Sequence, residues 1–176
     1  KLEVWGDIVT CDHMVLNKPH EKGLNGESCL FMIKDIHTGM IGAYPVASKS
    51  ATYVVESLKD FTGPNRSIKL MYSDNAPEIL KAARSLMLSS DTSVPGQPRN
   101  NSIIERTNQV VLEMVRTFLT TAGLPAPFWS EAIKVAAHHL NTKSDGDASS
   151  WFNTFGSEFT QPLFPFGCLV IYKPLA

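Results

Sequence analysis

Asp12 lies inside an otherwise hydrophobic stretch, DIVTCDHMVL (7–16), and Asp74 closes a second one, SIKLMYSD (67–74). Ionised carboxylates seldom occupy such runs unless they are paired or coordinate something. Glu105 stands near the start of the longest helix-forming segment, just after a loop. Three acids delivered from two strands and a helix can surround one solvent-accessible point, which is what two divalent cations held roughly 3.5 to 4 Å apart require. Oxygen ligands alone suit Mg²⁺, or Mn²⁺. The chemistry would be in-line displacement at phosphorus, one ion activating a water or 3′-hydroxyl and the other stabilising the leaving oxygen. With 17 acids in 176 residues, many triplets exist, so ion-paired structural acids are the competing reading. Asp7 is the rival for the first position; its odd offset from Asp12 puts it on the opposite side of a strand.

The bulk numbers describe one folded core. The chain is 43% hydrophobic and 19% charged with a net charge of -1, the balance of an ordinary globular protein with enough length for a sizeable interior. Near-neutral charge argues against indiscriminate nucleic-acid binding, so any DNA contact must use a local patch. Lys69, Lys81, Arg84 and Arg99 are candidates for one. Cys11, Cys29 and Cys168 are odd in number and widely spaced, so neither a disulfide framework nor a cysteine zinc site is indicated, and a reducing intracellular compartment is expected. No apolar run is long enough for a membrane span and no leader pattern is present. A start at Lys1 rather than Met reads as a piece of something longer.

Periodicity supplies the elements that must carry the acids. Residues 7–16, 28–36 and 40–46 read as three strands, the last two a hairpin around HTG. Ser50 caps a helix in which Tyr53, Val54, Leu58 and Phe61 recur at helical spacing, and GPN stops it. Residues 67–74 form a fourth strand ending in Asp74, and 77–88 a second helix. SSDTSVPGQPRNNS, rich in proline, glycine and small polar residues, reads as a long loop. The long helix follows over 101–122, with Ile104, Val111, Met114, Val115, Phe118 and Leu119 as its buried stripe and Gly123 as its cap. A further helix begins at the prolines of PAPFW and ends near Thr142. Residues 143–150 read as a linker and 167–173, GCLVIYK, as a terminal strand, which divides the chain into a core, 1–143, and a linker with a short post-core segment, 144–176.

YSDNAPE (72–78), SVPGQPRNNSIIERTNQVVLEMVRTFL (93–119), GLPAPFWSEAIKVAAHHLNT (123–142) and PFGCLVIYKP (165–174), occurring in that order, resemble the integrase core of copia-type LTR retrotransposons, relatives of retroviral integrase. The resemblance implies an α/β, RNase H-like fold, a central mixed five-stranded sheet flanked by helices. It implies DNA 3′-end processing and strand transfer with two Mg²⁺ (or Mn²⁺) ions, DNA as partner, self-association, membership of a longer polyprotein and action in the nucleus. By matching motifs, Asp12, Asp74 and Glu105 are the catalytic, metal-binding acids. Three departures stand out: a shortened Asp74-to-Glu105 spacing, Asn101-Ser102 where the family has Asn-Gly, and Ala76-Pro77 where it tends to have glycines.

Asn101, Arg106, Asn108, Gln109 and Arg116 lie on or beside the helix that carries Glu105 and are candidates for DNA contacts, against the alternative of a solvated face. Asp35 reads as a turn residue. His13 alternates away from Asp12 and reads as structural. His138 and His139, adjacent on a helix, cannot form a zinc pair, and Trp129, Phe128 and Leu140 read as core. Two rival functions are a catalytically silent DNA-binding or assembly module from a decayed element, and a hydrolase of RNA in hybrids, which would need a fourth acid.

Overall fold

The computed structural model describes residues 2–16, 22–92, 102–144 and 146–171. Its sheet is built from strands whose alternate residues face two different apolar layers. In β1 (Val9–Val15), Val9 and Cys11 join a cluster with Phe31, Leu58 and Ile79, whereas Met14 packs against a second cluster containing Met32, Ile104 and Ile133. The period of two therefore sends Asp12, in step with Met14, to the second face. β2 (Cys29–Asp35) is buried on both sides, with Phe31 and Ile33 in one layer and Leu30 and Met32 in the other. That accounts for its nearly continuous apolar sequence. β3 (Ile41–Val46) completes the antiparallel hairpin.

Helix α1 (Ala51–Thr62) begins where Ser50 Oγ accepts the Tyr53 N–H and ends at Gly63 with φ +63°, as serine and glycine at those places dictate. β4 (Leu70–Ser73) and β5 (Ser89–Thr92) bracket α2 (Pro77–Ser85), and α3 (Ser102–Ala122) and α4 (Trp129–Thr142) follow, with one 3-10 turn, Ala126–Phe128, leading into α4. The sheet order is β3-β2-β1-β4-β5, with β1 antiparallel to β2 but parallel to β4, and β4 parallel to β5. α1 and α2 cover one face; α3 and α4 cover the other.

Three expectations need correction. Residues 89–92, read as loop, are β5: it has no apolar period because it is an edge strand whose side chains at Ser89, Ser90 and Asp91 are exposed, held by pairing with β4. From the last residue of the expected linker onward, where no element was expected, Ser150–Phe155 form α5, capped by Ser149 Oγ and closed by Gly156 at φ +73°; six residues are too few for a visible helical period. Residues 167–171 are not a strand, although their β-branched and apolar residues suit one. Leu169 and Ile171 are 89% and 88% exposed, and strand propensity without a neighbouring strand produces no ladder.

Small features lock the frame. Gly6, at φ +84°, lies so close to the Ser67 carbonyl that no side chain fits. Its N–H donates to the fully buried Asp35 carboxylate, which also accepts from Thr38 N and Thr38 Oγ1 at 2.8 Å each. Asp35 is thus the turn residue its position suggested. The β3 edge is blunted. Asn141 of α4 accepts from Ile41 N and donates to Ile41 O, both at 2.8 Å, so one side-chain amide takes the place of a strand partner.

Candidate active site

The two aspartates are brought together by backbone register. In the parallel pair β1/β4, Val9 faces Met71, Thr10 faces Tyr72 and Cys11 faces Ser73; Asp12 and Asp74 are the next residue along each chain, and the charge of Asp74 is felt at Asp12. Both residues are half-buried. Burial pushes the Asp12 carboxyl above its usual range, and the charge of Asp74 pushes it further, while hydrogen bonds from His13 N and Asn108 Nδ2 and the charge of Lys49 pull back. The Cys11 thiol between the layers is held up first by burial and then by these same two carboxylates. A half-buried pair of like charges is the arrangement a bound cation relieves.

The third acid comes with α3. Asn108 is buried, and its Nδ2 donates to Asp12 Oδ2 at 3.0 Å while His13 N donates to Oδ1 at 2.8 Å. This bond pins the first turns of α3 over Asp12. Glu105 is exposed, three residues earlier and so on the neighbouring part of the same helix face. Among the described residues, no group of three His, Cys, Asp or Glu side chains converges closely enough to hold a metal ion; Asp12 feels the charge of Asp74, and Glu105 is exposed on α3.

Neighbouring groups are committed elsewhere. Asp7 precedes β1 and is engaged by Lys69 Nζ at 2.6 Å and by the N–H groups of Glu3 and Val4, which hold its carboxyl far below the usual range. It therefore belongs to an ion pair with Lys69, whose side chain is largely exposed. His13 is buried on the opposite sheet face from Asp12, its ring 4.7 Å from that of Phe31. Its Nδ1 lies 3.4 Å from Glu78 Oε1, without hydrogen-bond geometry. Burial pushes the His13 pKa down against the opposing pull of Glu78, which favours a neutral ring packed on Phe31 over an ion pair with Glu78. His138 packs edge-on to Trp151 and Phe159, and His139 to Phe118. Trp129 is buried, and Phe128 and Leu140 are half-buried.

Of the residues suggested for DNA contact, Arg106, Gln109 and Arg116 are exposed on α3, whereas Asn108 is turned inward to Asp12. Asn101 and Arg99 lie outside the described residues; Lys81 and Arg84 are exposed on α2, on the other face of the sheet. Sequence reasoning missed two lysines: Lys49, whose charge offsets Asp12, and Lys34, bonded to Thr107 of α3. The register of β2 against β1, with Lys34 opposite Thr10 and so on the Asp12 face, could have flagged the latter.

The fold is that of the RNase H-like integrase catalytic core. It superposes on the HTLV-2 integrase catalytic core domain in complex with magnesium (trimeric form) with a TM-score of 0.63 at 17% identity, over 85% of this chain and 97% of that one. In sequence the chain is similar to retrotransposon polyproteins: it is 36% identical over 81 residues, 43% of its length, to the retrovirus-related Pol polyprotein from transposon TNT 1-94 of Nicotiana tabacum, and 32% identical over 105 residues, 56% of its length, to that from transposon RE2 of Arabidopsis thaliana. The matched segments span 6% and 7% of those two polyproteins. The chain matches no protein-family model.

Proposed function

We propose that this chain is the catalytic core of a retrotransposon integrase of the copia type, a metal-dependent polynucleotidyl transferase that processes DNA 3′ ends and joins them to target DNA. The observation that carries the reading is the juxtaposition of Asp12 and Asp74 by strand register, with α3 pinned above them through Asn108. Support comes also from the retrotransposon relatives and from the magnesium held by the HTLV-2 core. Asp12 and Asp74, joined by Glu105 from the first turn of α3, would hold Mg²⁺ or Mn²⁺. Two such ions would supply activation of the attacking oxygen and charge neutralisation at the leaving one.

The chain's own groups set up that chemistry. Asn108 and the His13 N–H fix the orientation of the Asp12 oxygens, each bond favouring the ionised form that a cation needs. The apolar layers around Cys11 and Met32 exclude water beneath the pair. We assign residues 1–143 to the catalytic core and 144–176 to a post-core segment. DNA is its partner, self-association and a longer polyprotein its context, and the nucleus its place of action. No helix among the described residues is long and apolar enough to cross a membrane.

The separation of Glu105 from the aspartates favours one alternative, a catalytically silent DNA-binding or assembly module. Incubating the polyprotein-derived integrase with labelled donor duplex and target plasmid, in Mg²⁺ or in EDTA, separates the two. Joined product that depends on Mg²⁺ and disappears in Glu105→Gln, with an unchanged thermal midpoint, is the expected result. Binding of DNA without any metal-dependent joining would establish the silent module.

The outer support of Asp12 gives a second measurement. Asn108→Ala removes a donor that favours ionised Asp12, so Mg²⁺ affinity, read from thermal shift, should fall by about 10- to 100-fold and the pH needed for metal stabilisation should rise. An unchanged Mg²⁺ titration would show that Asn108 only packs.

A further inference from the structure

A cavity of about 530 Å³ opens on the flank of α3 away from Asp12, where Lys34, Gly39, Ser102, Arg106, Thr107 and Ser150 meet. Among the described residues, no carboxylate lines it. Lys34 sits on the sheet face that also carries Asp12, half-buried at the end of β2, and its Nζ donates to Thr107 Oγ1 at 3.2 Å. Burial alone pushes its pKa down, with no acid to offset it. Two other lysines do have counter-charges: Lys69 has Asp7 at 2.6 Å and Lys134 has Glu131 at 2.9 Å. Among the described residues, the hydrogen-bond partner of Lys34 Nζ is the Thr107 hydroxyl.

A half-buried ammonium with one of its three donors used and no acid beside it is costly on its own and is relieved by an anion. Arg106 at the mouth of the same cavity supplies a planar, permanently charged fork suited to phosphate oxygens. Adjacent helix positions settle the placement: Asn108 reaches Asp12 while Thr107 reaches Lys34, so the cavity and the acid pair flank the same two turns of α3.

We propose that this cavity is a phosphate subsite, in which Lys34 and Arg106 hold one backbone phosphodiester of a DNA strand crossing the start of α3 on its way to Asp12 and Asp74. The proposal rests on the reading of the chain as a DNA-acting core. It makes Lys34 a positioning residue for the nucleic acid, contributing affinity without sequence preference.

The test is fluorescence anisotropy of the whole chain with a labelled DNA duplex in EDTA, across a salt series, for wild type, Lys34→Met, Arg106→Gln and the double variant. Each single change is expected to flatten the slope of log K against log salt by about 1, and the double by about 2, equally for unrelated duplexes. The thermal midpoint of Lys34→Met should not fall, since an uncompensated buried charge is removed; Lys34→Gln provides the same readout if methionine repacks the cavity. Unchanged affinity and slope in the double variant would overturn the proposal, and a lowered midpoint with unchanged binding would assign Lys34 to bracing α3. Inorganic phosphate that raises the midpoint of wild type but not of the variants, with DNA binding unaltered, would assign the cavity to a free anion and also overturn it. Failure of wild type itself to bind DNA would sink the functional reading; binding by wild type with indifferent variants would sink only the subsite.

Discussion

Replacing Asp12 with Asn is expected to move activity and metal-free stability in opposite directions. The variant removes one of two like charges set side by side by the β1/β4 register and keeps an oxygen for the Asn108 amide. The sign follows from the raised Asp12 pKa. Below the ordinary carboxylate range, folded and unfolded chains are both protonated at this position. As pH rises from there to the elevated folded-state value, the unfolded chain ionises first, so metal-free stability declines across that window. Asp12→Asn abolishes this decline and should melt at a higher temperature than wild type at neutral pH in EDTA. Mg²⁺ should raise the wild-type midpoint by mass action and leave the variant unmoved. Losing several kcal/mol of transition-state stabilisation should lower strand transfer by at least about 10³-fold. A variant melting below wild type in EDTA, or one still shifted by Mg²⁺, would show that the pair is not a strained cation site.

Asn141→Leu should be among the most damaging substitutions away from the acids. Antiparallel bonding pairs Asp35 N with Met40 O, and the alternation of the ladder then turns the backbone groups of Ile41, Ala43 and Pro45 outward from β2. Pro45 has no N–H to offer, and Ile41 is occupied by the Asn141 amide. Leucine would strand two buried backbone groups, each costing about 1 to 3 kcal/mol. For a chain of this length that lowers the melting midpoint by about 4 to 24 °C. The uncovered edge should also favour self-pairing, visible as concentration-dependent light scattering. A midpoint within a degree of wild type would mean that water replaces the amide without loss.

The legible parts of the fold were those whose burial imposes a period. β1, β2, α1 and α4 declare themselves because alternate or every third and fourth residue must enter an apolar layer. The aspartates were legible for the complementary reason, as charges standing where that pattern demands apolar residues. β5 and α5 were not: the first exposes the side chains of Ser89, Ser90 and Asp91, and the second is a single capped turn and a half held by contacts among Trp151, Phe155 and His138. The role of Asn108 was half-legible. Its helix position was noted, but whether it looks outward to DNA or inward to Asp12 depends on the rotation of α3 over the sheet. That rotation is set by Ile104, Val111 and Val115 together and by no local signal. Lys34 escaped because, within an apolar strand, a lone lysine at the end looks like an ordinary solvated terminus.

The parallel register of β1 and β4 has a consequence for how such a chain tolerates change. Because main-chain bonding indexes the two aspartates to each other, the stretch connecting Asp74 to Glu105 carries no responsibility for their separation. If Asp12, Asp74 and Glu105 form the proposed centre, insertions or deletions there leave its first half intact and act on the glutamate alone. Length variation in this family of folds is therefore expected to concentrate between the second and third acids, whereas losing one residue from β4 would rotate its acid to the wrong face of the sheet.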